Sequence, residues 1–346
     1  MKEINRVLRV ALFLAALLIA FLFSSSMGEF TFDEVEELSS HEFSMTIPPS
    51  DTLRFFSWNI GYSGLGEDMD FFYDGGRMVI PSRKQFDKYL HGILTTLKKN
   101  SSSDFFLLQE VDIEAKRSYR IPLNDTIASE LPPMSNAFGI NYASNFIPTP
   151  IAFPMGSVLS GVNTFASYLP KRTVRHALYT NFSWPKRLFL PHRCFLVNRH
   201  PMGNGQQLVV VNVHLSAYDD GNMRDKQLHE VLHFAFSEFN EGNYVVVGGD
   251  WNQTPPGYQS THTDPAGHFI PKSIPHGAIP REWRWVYDEH TPTNRSLETN
   301  YTKNSPTSIL DFFLVSPNIQ VVESHTLDHN FKYSDHNPIK MSITFR

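Results

Sequence analysis

Cysteine occurs once, as Cys194, in 346 residues. That excludes an intramolecular disulfide framework and any zinc module built from several thiolates, and leaves metal chemistry to oxygen and imidazole donors. An excess of positive charge is also missing. Thirty Lys and Arg face 35 Asp and Glu, a formal net charge of -5, which excludes a generic basic coat for nucleic acid. Glycine and proline, at 19 and 23 residues, are too few for a collagen-like or linker-dominated chain. Charged residues make up 19% against 41% hydrophobic, so wholesale disorder is excluded and a sizeable core is expected. No internal repeat with a period of about 20 to 50 residues is visible.

Long apolar runs are absent except for one. After Lys2, Arg6 and Arg9, residues 10–23 are continuously apolar and lead into Ser24, Ser25, Ser26, Met27 and Gly28. As a helix this run reaches roughly 21 Å, short of a ~30 Å hydrocarbon core. A basic start, an apolar centre and small residues after it make the pattern of a signal peptide. Residues 1–26 are therefore expected to be a signal peptide, cleaved near Ser26 to Gly28, or a retained N-terminal membrane anchor. Either way the remainder is expected outside the cytoplasm, periplasmic or extracellular, with membrane contact through the N-terminal segment if it is uncleaved. Residues 27–50 carry Glu29, Asp33, Glu34, Glu36 and Glu37 and end in Pro48 and Pro49. They are expected as a polar tether or short helix, and 51–346 as the folded domain.

From Leu53 onward, short runs rich in Phe, Val and Ile alternate with loops. Strands are predicted over 53–60, 104–109, 157–167, 194–198, 208–215, 244–248, 309–315, 321–326 and 339–345. Helical spacing of apolar residues predicts helices over 85–98 and 222–240. Many strands with few helices suggest two sheets packed face to face, with helices outside.

Five of these runs end in residues with oxygen or imidazole chemistry. Asn59 closes the first and Glu110 the second. Asn212 and His214 share one face of a strand by its period of two. Asp250 and Asn252 are likewise two apart, and Asp335-His336 precede the last strand. Singly, Asn59 or Asn252 reads as turn chemistry, and His214 as a hydrogen-bonded, partly buried residue. Glu110 is harder to place that way, because a carboxylate directly after a buried strand needs a cation or donors. Together the five runs offer one set of convergent ligands.

In order, Trp58-Asn59, Leu108-Gln109-Glu110, Asn212-Val213-His214-Leu215, Gly249-Asp250-Trp251-Asn252, Leu310-Asp311-Phe312-Phe313 and Ser334-Asp335-His336-Asn337-Pro338 resemble the motifs of the endonuclease/exonuclease/phosphatase superfamily. That group includes deoxyribonuclease I, abasic-site endonucleases, neutral sphingomyelinases and inositol polyphosphate 5-phosphatases. The resemblance covers about residues 53–346. It implies an α/β four-layer αββα sandwich with the site at one end of the two sheets, and hydrolysis of a phosphoester by an in-line water. It further implies a divalent cation, Mg²⁺ or Mn²⁺, on Glu110 and Asn59 with Asp335 as a further ligand. Asp250 and Asn252 would activate and orient the water, His336 held by Asp311 would donate to a phosphate oxygen, and His214 would be a second donor. Two positions depart from the pattern. Gly61 stands where some relatives have an acidic residue, and Ile309 where many have an Arg, so any phosphate clamp from that Arg must come from elsewhere.

Loops between the motifs should set the substrate. Residues 61–76 mix Glu67, Asp68, Asp70 and Asp74 with Tyr62, Phe71, Phe72 and Tyr73, and read as a solvated loop with anchoring aromatics. Residues 116–120 are the best local cationic cluster for a phosphate, or else a solvated charge run. The apolar, Pro-interrupted stretch 146–154 is expected to be a loop packed on the domain; its other reading is an exposed lip touching lipid. Asn163 is expected near the site, whereas Arg224 and Gln227 are expected to position the helix that carries them. The leading reading is an exported, metal-dependent phosphoesterase for a small or lipid phosphoester. An extracytoplasmic nuclease with nucleic acid as partner, and a silent binding module, are the alternatives.

Overall fold

The computed structural model describes residues 2–217, 222–260, 269 and 271–346. Its elements run α1 (Lys2–Met27), β1 (Val35–Ser40), β2 (Leu53–Asn59), α2 (Arg83–Lys99), β3 (Phe105–Asp112), α3 (Leu123–Ala128), β4 (Ser135–Ile147), β5 (Gly156–Ala166), β6 (Arg172–Ala177), β7 (Cys194–Pro201) and β8 (Gln207–His214). There follow α4 (Met223–Asn240), β9 (Tyr244–Asp250), β10 (Arg284–Val286), β11 (Asn294–Arg295), β12 (Thr307–Ser308), β13 (Asp311–Val315), β14 (Ile319–Thr326) and β15 (Ile339–Phe345). One sheet has the order β1-β6-β7-β8-β9-β13-β10 and the other β14-β15-β2-β3-β5-β4, with β11 and β12 as a separate ribbon.

Period-two alternation builds the layers. Phe55, Phe105, Leu107, Val210, Val246, Phe313 and Met341 point between the sheets and fill the central core. Their neighbours Phe56, Trp58, Phe106 and Leu108 point outward and are covered by Phe86, Ile93 and Leu97 of α2 and by α3. On the other face Val209, Val211, Val245 and Val247 pack on Leu228, Val231 and Leu232 of α4. The parallel pairs β2/β3 and β8/β9 need crossovers, and α2 and α4 supply them. Ser82 and Gln85 close a capping box at the start of α2. The result is the expected αββα sandwich of two mixed sheets flanked by helices.

Several expectations are corrected. Residues 27–50 are no tether: Val35 to Ser40 pair with β6 as an edge strand, and Ile47 is fully buried in the core. Backbone pairing, which acidic side chains do not prevent on an edge, outweighs the polar composition. Helix α1 extends beyond the apolar run at both ends. Strands β4 and β6 were not foreseen, because Asn136, Gly139, Asn141 and Asn145 break the alternation in β4. Residues 148–155 connect β4 to β5, and although Met155 is buried the tip of the turn does not pack down: Ile151 is 91% exposed and Phe153 77%.

His200 on β7 is fully buried against the edge of Phe105, with neither ring nitrogen hydrogen-bonded. Burial pushes its pKa down from 6.5 to about 3. The folded chain keeps this ring neutral while the unfolded chain protonates it, so its share of stability is intact above pH ~6.5 and lost as pH falls toward ~3, at about 1.4 kcal/mol per pH unit. Relative to the wild type, His200→Leu should therefore gain roughly 2 kcal/mol in urea unfolding between pH 7 and pH 5. A gap that does not change with pH would refute this.

Candidate active site

Register brings the polar residues to one end of the sandwich. Asn59 lies opposite Gln109 in the parallel β2/β3 pair, His214 opposite Asp250 in β8/β9, and Asp250 opposite Asp311 in the antiparallel β9/β13 pair. Gly249 has φ +140, and a Cβ there would sit 2.1 Å from the Val213 carbonyl oxygen. Only glycine allows β9 to reach β8 just before Asp250. The strand ends open on a cavity of about 320 Å³, lined by Glu110, His214, Asp250, Asn252, Asp335 and His336. Asn59 and Asp311 support it from beneath. Tyr62, Glu110 and Asn252 on its wall have φ of 42, 54 and 50, and backbone strain of this kind gathers at functional sites.

Asp250 is held from several sides. Its Oδ2 accepts from Asn59 Nδ2 at 2.9 Å and its Oδ1 from the Asn252 backbone N–H at 2.9 Å. His214 Nε2 lies 3.5 Å and His336 Nε2 3.8 Å from Oδ2. Burial pushes Asp250 up to about 6, into the range of a general base near neutral pH. The two imidazoles differ. His336 donates Nδ1–H to Asp311 Oδ2 at 2.7 Å. Burial works against its charge, but Asp311, Asp335 and Asp250 outweigh it and hold His336 well above its ordinary value. His214 is driven well below 6.5 by burial and by Arg193. Arg193 Nη1 lies 3.1 Å from His214 Nδ1. Since guanidinium only donates, Nδ1 accepts and the proton of the neutral ring sits on Nε2, facing the cavity.

Glu110 and Asp335 form the acidic wall. Among the described residues Glu110 Oε1 meets weak partners, Asn59 Nδ2 at 3.4 Å and His214 Nε2 at 3.9 Å. Burial, with Glu110 contributing, pushes Asp335 up to about 7. Two carboxylates facing one cavity offer the hard oxygen donors that a divalent ion takes. Asp250, Asp311 and His336 also bring their ligand atoms within 4.8 Å of one another, but Asp311 Oδ2 and His336 Nδ1 are already spent on each other. Asp311 Oδ1 has no hydrogen-bond partner among the described residues, and Glu110 with Asp335 makes a second acidic grouping on the same cavity. Asn59 supports it less directly than expected: its Oδ1 accepts from Gly61 N at 3.0 Å while its NH₂ faces Asp250 and Glu110.

Sequence reasoning missed two arginines. Arg193, just before β7, is half-buried, lines the cavity, and has no hydrogen-bond partner for its Nε among the described residues. Arg295 donates Nη2 to the carbonyls of Leu65, Gly66 and Met69 and so folds the 61–76 loop over the site. Neither lies near a motif in the chain, so no local signal marks them. In the cationic cluster 116–120 both arginines are engaged: Arg117, on the cavity wall, is paired with Asp112 at 3.0 Å and stacked 3.7 Å over Tyr62, and Arg120 pairs with Glu114. Asn163 does not face the cavity; its NH₂ donates to Asn136 Oδ1 and the Ala137 carbonyl. Gln227 fastens α4 through Ser216 and Tyr179, as expected, while Arg224 both touches the Asn252 carbonyl and lines the cavity.

Arg193→Met should lower kcat/KM by on the order of 10²-fold, the cost of one transition-state donor, whether Arg193 touches substrate or fixes the His214 tautomer. Arg193→Lys should recover little, because a lysine does not reproduce the guanidinium fork. Steady-state kinetics of both variants check this; a loss below threefold in both would remove Arg193 from the site.

Comparisons with known proteins follow the same lines. A model of the "Endonuclease/Exonuclease/phosphatase family" matches residues 56–336. No curated protein matches the chain. Among solved structures, an endonuclease/exonuclease/phosphatase from Beutenbergia cavernae is 16% identical with a TM-score of 0.57, covering 85% of this chain and 72% of that one. One from Bacteroides vulgatus is 14% identical with a TM-score of 0.54, covering 86% and 100%. ANGEL2, a 2',3'-cyclic phosphatase, is 14% identical with a TM-score of 0.55, covering 85% and 95%. At these identities the structures speak for the fold.

Proposed function

Because the chain belongs to the endonuclease/exonuclease/phosphatase family, we propose that it is a metal-dependent phosphoesterase. It hydrolyses a small or lipid phosphodiester or phosphomonoester by in-line attack of water, outside the cytoplasm. The observation that carries this reading is the meeting of Asp250, neutral His214, the His336–Asp311 pair and the Glu110–Asp335 wall at one cavity. ANGEL2, a 2',3'-cyclic phosphatase, is an instance of phosphoester chemistry on this fold and supports the reading.

Glu110 and Asp335, with Asn59 beside them, would hold Mg²⁺ or Mn²⁺, which when bound supplies Lewis-acid neutralisation of phosphoryl charge. Asp250 takes the proton of the attacking water as the new O–P bond forms and the ester P–O bond opposite it breaks; the leaving alkoxide takes a proton from solvent, and the Asn252 backbone N–H keeps the Asp250 carboxylate aligned. His336, protonated through Asp311, has the Asn294 amide 2.9 Å from its Nε2; with that amide's oxygen turned to the ring, Nε2–H is shared between Asn294 and a non-bridging phosphate oxygen. His214 donates its Nε2–H to the same developing charge, with Arg193 behind it. Arg193, which reaches the site from the segment just before β7, would take the role of the arginine missing at Ile309.

The test is a panel of phosphodiester, phosphomonoester, phospholipid and DNA substrates, offered to the full chain in detergent with Mg²⁺ and with chelator. Chelator-sensitive turnover of a small ester or phospholipid is expected. No turnover with metal present would overturn the reading, and plasmid nicking alone would replace it with a nuclease.

A further inference from the structure

Helix α1 contains a 24-residue stretch, Ile4–Met27, long and apolar enough to cross a membrane and unburied by the rest of the chain. At about 1.5 Å per residue it exceeds a ~30 Å hydrocarbon core. Its last turns are nevertheless fastened to the domain. Phe21 stacks on Phe189 at 5.9 Å and meets Phe146 edge-on at 6.1 Å. Trp184 Nε1 donates to Ser26 Oγ at 3.0 Å, Asn145 Nδ2 to the Gly28 carbonyl at 2.7 Å, and Arg187 pairs with Glu29 at 2.8 Å.

From Gly28 back to Phe21, contacts pass from Asn145 to Phe146, the direction in which β4 runs toward its turn. The Ile147–Gly156 pair closes β4 onto β5, and between them project Ile151 and Phe153, 91% and 77% exposed. Trp184 is 51% exposed beside Lys186 and Arg187, the aromatic and basic mixture that settles at a membrane–water interface. These loops also border the cavity. Tyr142, on its wall, donates to the Phe189 carbonyl at 2.9 Å, and Tyr73 meets Thr149 at 3.1 Å.

We infer that α1 is retained as an anchor and that the 148–154 turn, with Trp184, seats in the same bilayer, so that the cavity opens at the membrane surface and receives an amphiphilic phosphoester from it. The docking rests on the helix and the turn; the substrate class rests on the phosphoesterase reading above. A lipid surface is the occupant because the only helix continuous with this patch among the described residues is the one fit to span a membrane.

The lone cysteine makes the test direct, since Cys194 is fully buried and will not take a label. Full-length Phe153→Cys and Ser101→Cys, the latter exposed at the opposite end of β3, are labelled with an environment-sensitive dye. They are reconstituted in vesicles of equimolar phosphatidylcholine and phosphatidylglycerol with spin-labelled lipid. The label at position 153 should shift to the blue and be quenched, and that at 101 should not. Equal, water-like emission from both overturns the docking, as does mass spectrometry of a mature chain beginning near Ser26 to Gly28. Ile151→Asp/Phe153→Asp should lower hydrolysis of bilayer phospholipid at least tenfold and leave a soluble phosphodiester unchanged. If both substrates fall together, the surface-delivery claim fails. If the wild type cleaves neither, the phosphoesterase reading fails, while the depth measurement still decides the docking.

Discussion

Asp250→Asn is expected to fold, to bind metal and to lose on the order of 10³-fold in kcat, the worth of a positioned general base. The substitution keeps shape and removes the proton acceptor. An amide at 250 can satisfy Asn59 Nδ2 or the Asn252 N–H with its oxygen, leaving one donor facing another, a cost of about 1 to 3 kcal/mol in stability. Asn59 cannot relieve this by turning over, since its Oδ1 is committed to Gly61 N. The expected signature is thus a small fall in melting temperature beside a collapse of turnover that added metal does not restore. Near wild-type kcat in folded Asp250→Asn would require another base, and the assignment would be withdrawn.

Glu110→Gln should fail differently. Removing one carboxylate from the acidic wall weakens the cation rather than the base, so the half-saturating Mg²⁺ concentration should rise about tenfold or more, with turnover partly recovered at high metal. Metal that binds the folded chain raises its melting temperature by mass action. Mg²⁺ should therefore stabilise the wild type and Asp250→Asn more than Glu110→Gln, a readout independent of catalysis. Chelator should abolish activity in all three. Equal Mg²⁺ stabilisation of the wild type and Glu110→Gln would move the cation elsewhere, with the grouping of Asp250, Asp311 and His336 the place to look.

The site was legible where the chain writes it on strand ends. Apolar runs fix β2, β3, β8 and β9 by alternation, and the polar residues that close each run lie toward one end of the strands, so Asn59, Glu110, His214 and Asp250 could be read as convergent. What was hidden depends on partners distant in sequence. Arg193 acquires its role only when β7 pairs beside β8, and Arg295 only when three carbonyls of the 61–76 loop gather around it. Composition misled twice. Acidic Val35 to Ser40 pairs through its backbone, and the apolar turn at Ile151 and Phe153 was read as packed because hydrophobic residues usually are.

Edge strand β1 carries a mechanical consequence. Residues 28–34, between α1 and β1, could reach at most about 25 Å if fully extended, and Gly28 and Glu29 are already pinned to Asn145 and Arg187. A body so closely moored cannot sweep the solution or reach across to a facing vesicle. If α1 stays in the membrane, encounters with substrate become a lateral search within a single leaflet. Turnover should then follow the surface density of phosphoester rather than its bulk concentration.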